Sequence, residues 1–285
     1  MKTFTFVTLS YNHKEVIAEH LESIKKIVKK YGDGYAVNFI LGDDASKDGT
    51  TKVVRGWIRE NDFFDKVTIL DNKENKGLVA NYINSVSYVK EGDFKVLAGD
   101  DLYGDFDIFR LYEELDNDTL YVTPVTPYGK YAQLKWDNLE SDYKLLMYMV
   151  KHGKGRSLMR IDDCIPAPGV FMKSSLILDK KALDYMSRFK FCDDYPLFYY
   201  LLEYKGVSLH VSGRSYIYYR IGSGMSTDNK SKIRSAYMDD VKKMRKIIGA
   251  KAYILPKYIN PYRYYLKVMR SASIRDSSLY IEYMN

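Results

Sequence analysis

The chain has 285 residues, 46% of them hydrophobic and 28% charged, which supplies a sizeable core and excludes wholesale disorder. A net charge of +7 favours anionic partners, whether nucleotide phosphates, lipid headgroups or nucleic acid. Two cysteines, Cys164 and Cys192, without a CxxC pair exclude a disulfide scaffold and a structural zinc site, and no stretch approaches the roughly 18 apolar residues of a membrane-spanning helix.

The N-terminal "MKTFTFVTLSYNHKE" reaches charge too early for a signal peptide, has no small-residue cleavage site and reads as a first strand. Helical spacing follows in "EVIAEHLESIKKIVKKY", with Ile17, Leu21, Ile24 and Val28 on one face. "YAVNFILG" is the second strand, and "DDASKDGT" turns into the helix "TKVVRGWIRENDFF", capped by Ser46 or Asp48. "KVTILDN" is the third strand, "LVANYINSVSYVKEG" the third helix and "DFKVLAG" the fourth strand. This alternation predicts βαβ crossovers and a largely parallel sheet, in which ligands bind beyond the carboxyl ends of the strands. Three polar clusters fall there: Ser10 to Asn12, Asp43 to Gly49, and Asp100 with Asp101.

Later segments are less regular. "FDIFRLYEEL" and "DYKLLMYMVKHG" read as helices, "TLYVTPVTPYG" as a strand and turn, and "CIPAPGVFMKSSLI" as a loop before a short strand. "DDYPLFYYLLEYKG" begins an amphipathic helix, with Pro196 and the acids suited to its N-terminus. "VSLHVSGRSYIYYRI" reads as two antiparallel strands around a turn, and "KIRSAYMDDVKKMRKIIGAK" and "NPYRYYLKVMRSAS" as basic helices. The expected division is a domain over 1–225 and a helical, basic, Tyr-rich extension over 226–285.

Three acidic constellations carry chemistry. "GDD" at 99–101 suits a hard divalent cation and equally an Asp-rich turn. "LGDDASKDGT" offers acids to a base or ribose as well as helix caps. The neighbouring acids Asp193 and Asp194 repel, and burial would raise a carboxyl towards a useful basicity; capping of the helix is the alternative. His13, His20, His152 and His210 show no ligand spacing and read as structural or exposed. The 28 tyrosines offer rings and hydroxyls suited to sugars and bases.

Taken in order, these segments resemble glycosyltransferase family 2. "VTLSYN" resembles its opening strand, "LGDDASKDGT" its DDGSxDGT, "NKGLVANYINSV" its NxGxxxN, "VLAGDD" its DxD-type motif and "DDYPL" its ED motif. The resemblance runs over about residues 3–228 and implies the GT-A fold, a Rossmann-like mixed sheet flanked by helices, with the helical C-terminal extension beyond it. It implies that Tyr11 and Asp44 contact the nucleobase, with Leu9 and Ser10 nearby, that Asn75, Gly77 and Asn81 border the donor site, and that Asp100 lies against the ribose or sugar. Asp101 would hold a divalent metal, Mn2+ or Mg2+, and Asp194 would be the general base. One departure stands out. Many relatives read YRIH, with a histidine suited to metal or diphosphate, where this chain has Gly222, so that either Arg220 or Ser223 would substitute or metal would bind only with the nucleotide.

The implied activity is inverting transfer from a UDP- or dTDP-type sugar to a saccharide acceptor, lipid-linked, in surface polysaccharide assembly. Nucleic acid is not expected as a partner. The implied place is the cytoplasm, at the inner face of the plasma membrane, with peripheral membrane contact and a homo-oligomer both open. The rivals are a sugar nucleotidyltransferase, for which no G-x-G-T-R stretch is present, and a non-catalytic nucleotide- or glycan-binding protein.

Overall fold

The computed structural model describes residues 1–129, 143–160, 163, 165–221 and 232–249. Strands β1 (Lys2–Ser10), β2 (Tyr35–Asp43), β3 (Lys66–Asp71) and β4 (Asp93–Ala98) alternate with helices α1 (Ile17–Tyr31), α2 (Thr50–Asn61) and α3 (Leu78–Val86). The strands are parallel, in the order β3-β2-β1-β4. Because crossover helices cover both faces, the central strand β1 is apolar on both. Phe4 and Phe6 join Ile17, Leu21, Ile24 and Ile27 of α1 in one core cluster. Val7 and Leu9, pointing the other way by the strand pleat, join Val79, Tyr82 and Val86 of α3 in a second. In register, Ser10 lies opposite Asp43 and Asp43 opposite Asp71, so the strand ends share one edge.

Two helices are shorter than their periodicity predicts. The second stops at Asn61 rather than Phe64, because Asp62 takes a left-handed conformation (φ 38°) and closes the last turn. The third stops at Val86, followed by a turn, rather than continuing to Gly92.

Beyond the sheet come β5 (Leu102–Tyr103), α4 (Ile108–Glu114), β6 (Thr119–Val122), β7 (Val125–Tyr128), β8 (Val170–Phe171), α5 (Lys180–Met186), α6 (Asp194–Glu203), β9 (Ser208–Val211), β10 (Ile217–Arg220) and α7 (Lys232–Ile248). The expected hairpin at 207–221 does not form. Strand β9 pairs in parallel with β6, whereas β10 pairs in parallel with β7 and antiparallel with β5. "TLYVTPVTPYG" is likewise two strands in two sheets, and these distant partners satisfy the backbone groups a hairpin would have paired.

Helix α6 is buried nearly all round, at Tyr195, Pro196, Leu197, Phe198, Tyr199, Leu201 and Leu202, rather than amphipathic. Val241 and Met244 of α7 join the core cluster that contains α6. The expected boundary at 225/226, Gly222, Ser223, Cys164 and the second basic helix lie outside the described residues. Among the described residues, no helix is long and apolar enough to cross a membrane.

Candidate active site

Strand β4 ends in a turn that carries the Asp100–Asp101 pair. Its first residue, Gly99, is closely packed: a Cβ there would lie 2.3 Å from Ile17 Cδ1 and 3.1 Å from His13 Nδ1, so a larger residue would require Ile17 to shift. Asp101 is buried and braced from three directions. Its N–H donates to Ala98 O at 3.1 Å, its carbonyl accepts His20 Nδ1–H at 2.6 Å, and its Oδ1 accepts Arg220 N–H at 2.9 Å. Since His20 Nδ1 faces a carbonyl it carries the proton, leaving Nε2 to accept from Thr8 Oγ1 at 2.8 Å. Burial pushes the His20 pKa down to about 4, so the ring is neutral and acts as a brace.

The other oxygen, Asp101 Oδ2, is buried without a hydrogen-bond partner. Burial, reinforced by the charge of Asp100, holds the Asp101 carboxyl well above the usual carboxylate range. Arg220 secures the turn from across the chain. Its Nε donates to Asp100 O at 2.9 Å, its guanidinium pairs with Glu19 at 2.5 Å and it lies 4.5 Å over the Tyr128 ring. Lys95, in β4, is a buried lysine that sequence reading passes over as part of a strand. It donates to Val170 O at 2.7 Å, lies 4.7 Å over Phe171, and is lowered by burial to a pKa of about 7.

The loops after β1 and β2 lock together through Asp43. Its carboxylate accepts Ser10 Oγ–H at 2.6 Å, Ser46 N–H at 2.8 Å and Ser46 Oγ–H at 2.6 Å. Ser46 therefore does not cap α2, and Asp48 binds Thr50 at 2.9 Å and 2.6 Å while Gly49 holds the N-cap position with φ 94°. Asp44 reaches the opposite way. Its two oxygens accept Lys76 N–H at 2.8 Å and Gly77 N–H at 2.9 Å, and its carbonyl accepts Asn75 Nδ2–H at 3.2 Å. Asn81 ties α3 to the end of β2 through Gly42 O at 2.7 Å.

Gly77, at φ 93° and ψ 161°, occupies backbone space closed to side chains, and a Cβ there would lie 2.7 Å from Lys190 O. Gly77→Ala is therefore expected to cost on the order of 3 kcal/mol, read as a lower urea midpoint with an unchanged slope.

Asp193 and Asp194 open α6. Asp193 stands at the N-cap position yet makes no side-chain cap, so capping does not account for it. Asp194 Oδ1 accepts Tyr195 N–H at 2.8 Å and the Cys192 thiol at 3.7 Å. Desolvation raises both carboxyls, and the charge of Asp194 raises Asp193 further. A carboxylate so placed accepts a proton more readily than an exposed one.

A cavity of about 610 Å³ joins these groups. Leu9, Ser10, Tyr11, Asp44, Asn75 and Asn81 line it from the first loops, Asp100 and Asp101 from the turn, and Asp193 and Asp194 from α6. Of the predicted site residues only Gly77 is not in the wall; its role is to give Asp44 an N–H. His13, Lys95, Asp163, Ile233 and Tyr237 also line the cavity, and no motif marked them.

The sequence profile described as glycosyl transferase family 2 matches residues 5–181. The chain belongs to glycosyl transferase family 2. Among solved structures, it is similar to S. aureus TarS 1–349 in complex with UDP-GlcNAc, with 14% identity and a TM-score of 0.54 over 88% of this chain and 66% of that one. The same protein with UDP gives 15% identity and a TM-score of 0.51 over 78% and 61%. At this identity the likeness is one of fold, the GT-A arrangement of a parallel sheet and flanking helices. No curated protein sequence matches.

As a family 2 glycosyltransferase, the chain places Asp193, Asp194 and α7 beyond the matched segment. Among the described residues, no group of three His, Cys, Asp or Glu side chains is arranged to hold a metal. Asp101 Oδ2, buried without a hydrogen-bond partner, is an oxygen that a divalent cation would satisfy.

Proposed function

We propose that the protein is an inverting glycosyltransferase that moves a sugar from a nucleoside diphosphate to a saccharide hydroxyl. The observation that carries this reading is the single cavity with Ser10, Tyr11, Asp44, Asp100 and Asp101 on one wall and the raised Asp193–Asp194 pair on another. The loops at the sheet edge bind the nucleotide, with the Tyr11 ring available to the base and Asp44 fixing the turn at the start of α3. Asp194 takes the proton of the acceptor hydroxyl as its oxygen bonds to the anomeric carbon. The carbon–phosphate oxygen bond breaks on the opposite face, and the nucleoside diphosphate leaves with that electron pair. Asp101, with Asp100 beside it, would hold Mn2+ or Mg2+, which neutralises charge on the leaving diphosphate when bound.

The donor we infer is a UDP- or dTDP-type sugar; the TarS structures with UDP and UDP-GlcNAc support the UDP choice by fold likeness. The acceptor we infer is a lipid-linked saccharide of surface polysaccharide assembly at the cytoplasmic membrane face, in keeping with the net charge of +7. The test is a thermal-shift screen of nucleotide sugars with and without manganese, followed by assay of nucleotide release. We expect stabilisation by at least one donor, larger with manganese, and release of its nucleoside diphosphate. No shift with any donor would overturn the reading, and affinity without release would make the protein a binder.

A further inference from the structure

The segment leading into Asp193 is held by a helix that lies beyond the family match. The N–H groups of Lys190, Phe191 and Cys192 all donate to one oxygen, Asp240 Oδ2 of α7, at 2.8, 2.7 and 3.2 Å. Three consecutive main-chain donors on one carboxylate are charge-assisted bonds, and they dictate the path of the chain that carries them. The grip is reinforced nearby, where Lys243 Nζ donates to Arg188 O at 2.7 Å and lies 5.3 Å over the Phe189 ring.

From the other side, Lys190 O accepts Val79 N–H at 3.1 Å and lies against Gly77, whose N–H binds Asp44. The segment 190–192 is thus clamped between the nucleotide-side turn and α7, and the acidic pair begins at the very next residue. The Cys192 thiol, at the end of the clamp, reaches Asp194 Oδ1 itself. Asp240 is not in the cavity wall, although Ile233 and Tyr237, on the same helix, are.

We propose that Asp240 is a positioning residue for the transfer. Its carboxylate sets the course of residues 190–192 and so aims Asp194 at the acceptor hydroxyl. The inference rests on the reading of Asp194 as the base. A misplacement of about 1 Å in such a group lowers turnover by up to about 100-fold without disturbing the binding of a substrate held elsewhere.

The test compares Asp240→Ala, the isosteric Asp240→Asn and Asp239→Ala, whose parent side chain pairs with Lys242 on the exposed face of α7 at 2.9 Å. The readouts are nucleotide release across a panel of UDP- and dTDP-sugars, UDP affinity by calorimetry, and amide hydrogen exchange of residues 190–192. Asp240→Ala is expected to speed exchange of those amides and lower kcat about 10- to 100-fold, with KM for the sugar nucleotide and UDP affinity within about twofold. Asp240→Asn, which keeps an oxygen acceptor, should recover most of the rate, and Asp239→Ala should match the wild type. If Asp240→Ala unfolds the helix, Asp240→Asn carries the comparison, with a smaller loss of kcat at unchanged UDP affinity. Wild-type kcat in Asp240→Ala, or equal losses of kcat and UDP affinity, would overturn the proposal. Full turnover by Asp194→Asn, or no nucleotide release by the wild type, would instead remove the reading beneath it.

Discussion

Asp194→Asn is expected to lower turnover by about 10²–10⁴-fold, the range lost when a positioned general base is removed, while UDP binds within about twofold of wild type. The asymmetry follows from position, because Asp194 opens α6 whereas the predicted nucleotide contacts lie at the sheet edge. Nucleotide release and calorimetry on one preparation check it, and wild-type turnover in the variant would exclude Asp194 as the base. Stability should move the other way. Both carboxyls of the pair are raised above their unfolded value, so in the window between that value and the raised one the folded protein binds more protons than the unfolded chain. Folding stability attributable to the pair therefore falls as pH rises through the window. The variant should melt at a higher temperature than wild type at pH 8, with the gap narrowing towards pH 5. For the same reason wild-type kcat should climb with pH across that window as the base loses its proton.

Asp101→Asn is expected to abolish the manganese-dependent part of the UDP thermal shift and to lower turnover by about 100-fold or more, the loss of several kcal/mol of charge stabilisation. Asparagine retains Oδ1, the acceptor of Arg220 N–H, so the turn keeps its brace. It replaces the oxygen that burial leaves without a partner. The variant should therefore fold, and at alkaline pH it should resist heat better than the wild type without metal, because a desolvated carboxylate has been removed. A manganese-dependent shift of wild-type size in Asp101→Asn would show that the ion, if bound, is held elsewhere.

Much of this site is legible in the sequence because its determinants are local. Alternating strand and helix periods, broken by Gly and Asp turns, place Ser10, Asp44 and Asp101 at the ends of β1, β2 and β4, and parallel topology carries them to one edge. The later half is less legible because its pairings are long-range. The segments 119–128 and 208–220 each contain two strands, and no local pattern says that β6 pairs with β9 while β7 pairs with β10. Lys95 is hidden for a related reason: a lysine inside a strand reads as an outward residue until Val170 O and the Phe171 ring are found around it.

The parallel sheet and the family are legible in the letters alone, because hydrophobic periods and short motifs are written in runs of neighbouring residues. What each acid does emerges in three dimensions. Asp43 and Asp44 look as free as Asp101 in a string of letters, yet the first clasps Ser10 and Ser46 and the second holds the Lys76–Gly77 turn. Asp101 keeps one oxygen unsatisfied, and Asp240, in a helix with no motif, grips the segment before the candidate base. The physical reason is that a carboxylate's role is set by the donors that reach it, and several come from far along the chain, Lys76 from 32 positions beyond Asp44 and Arg220 from 119 beyond Asp101.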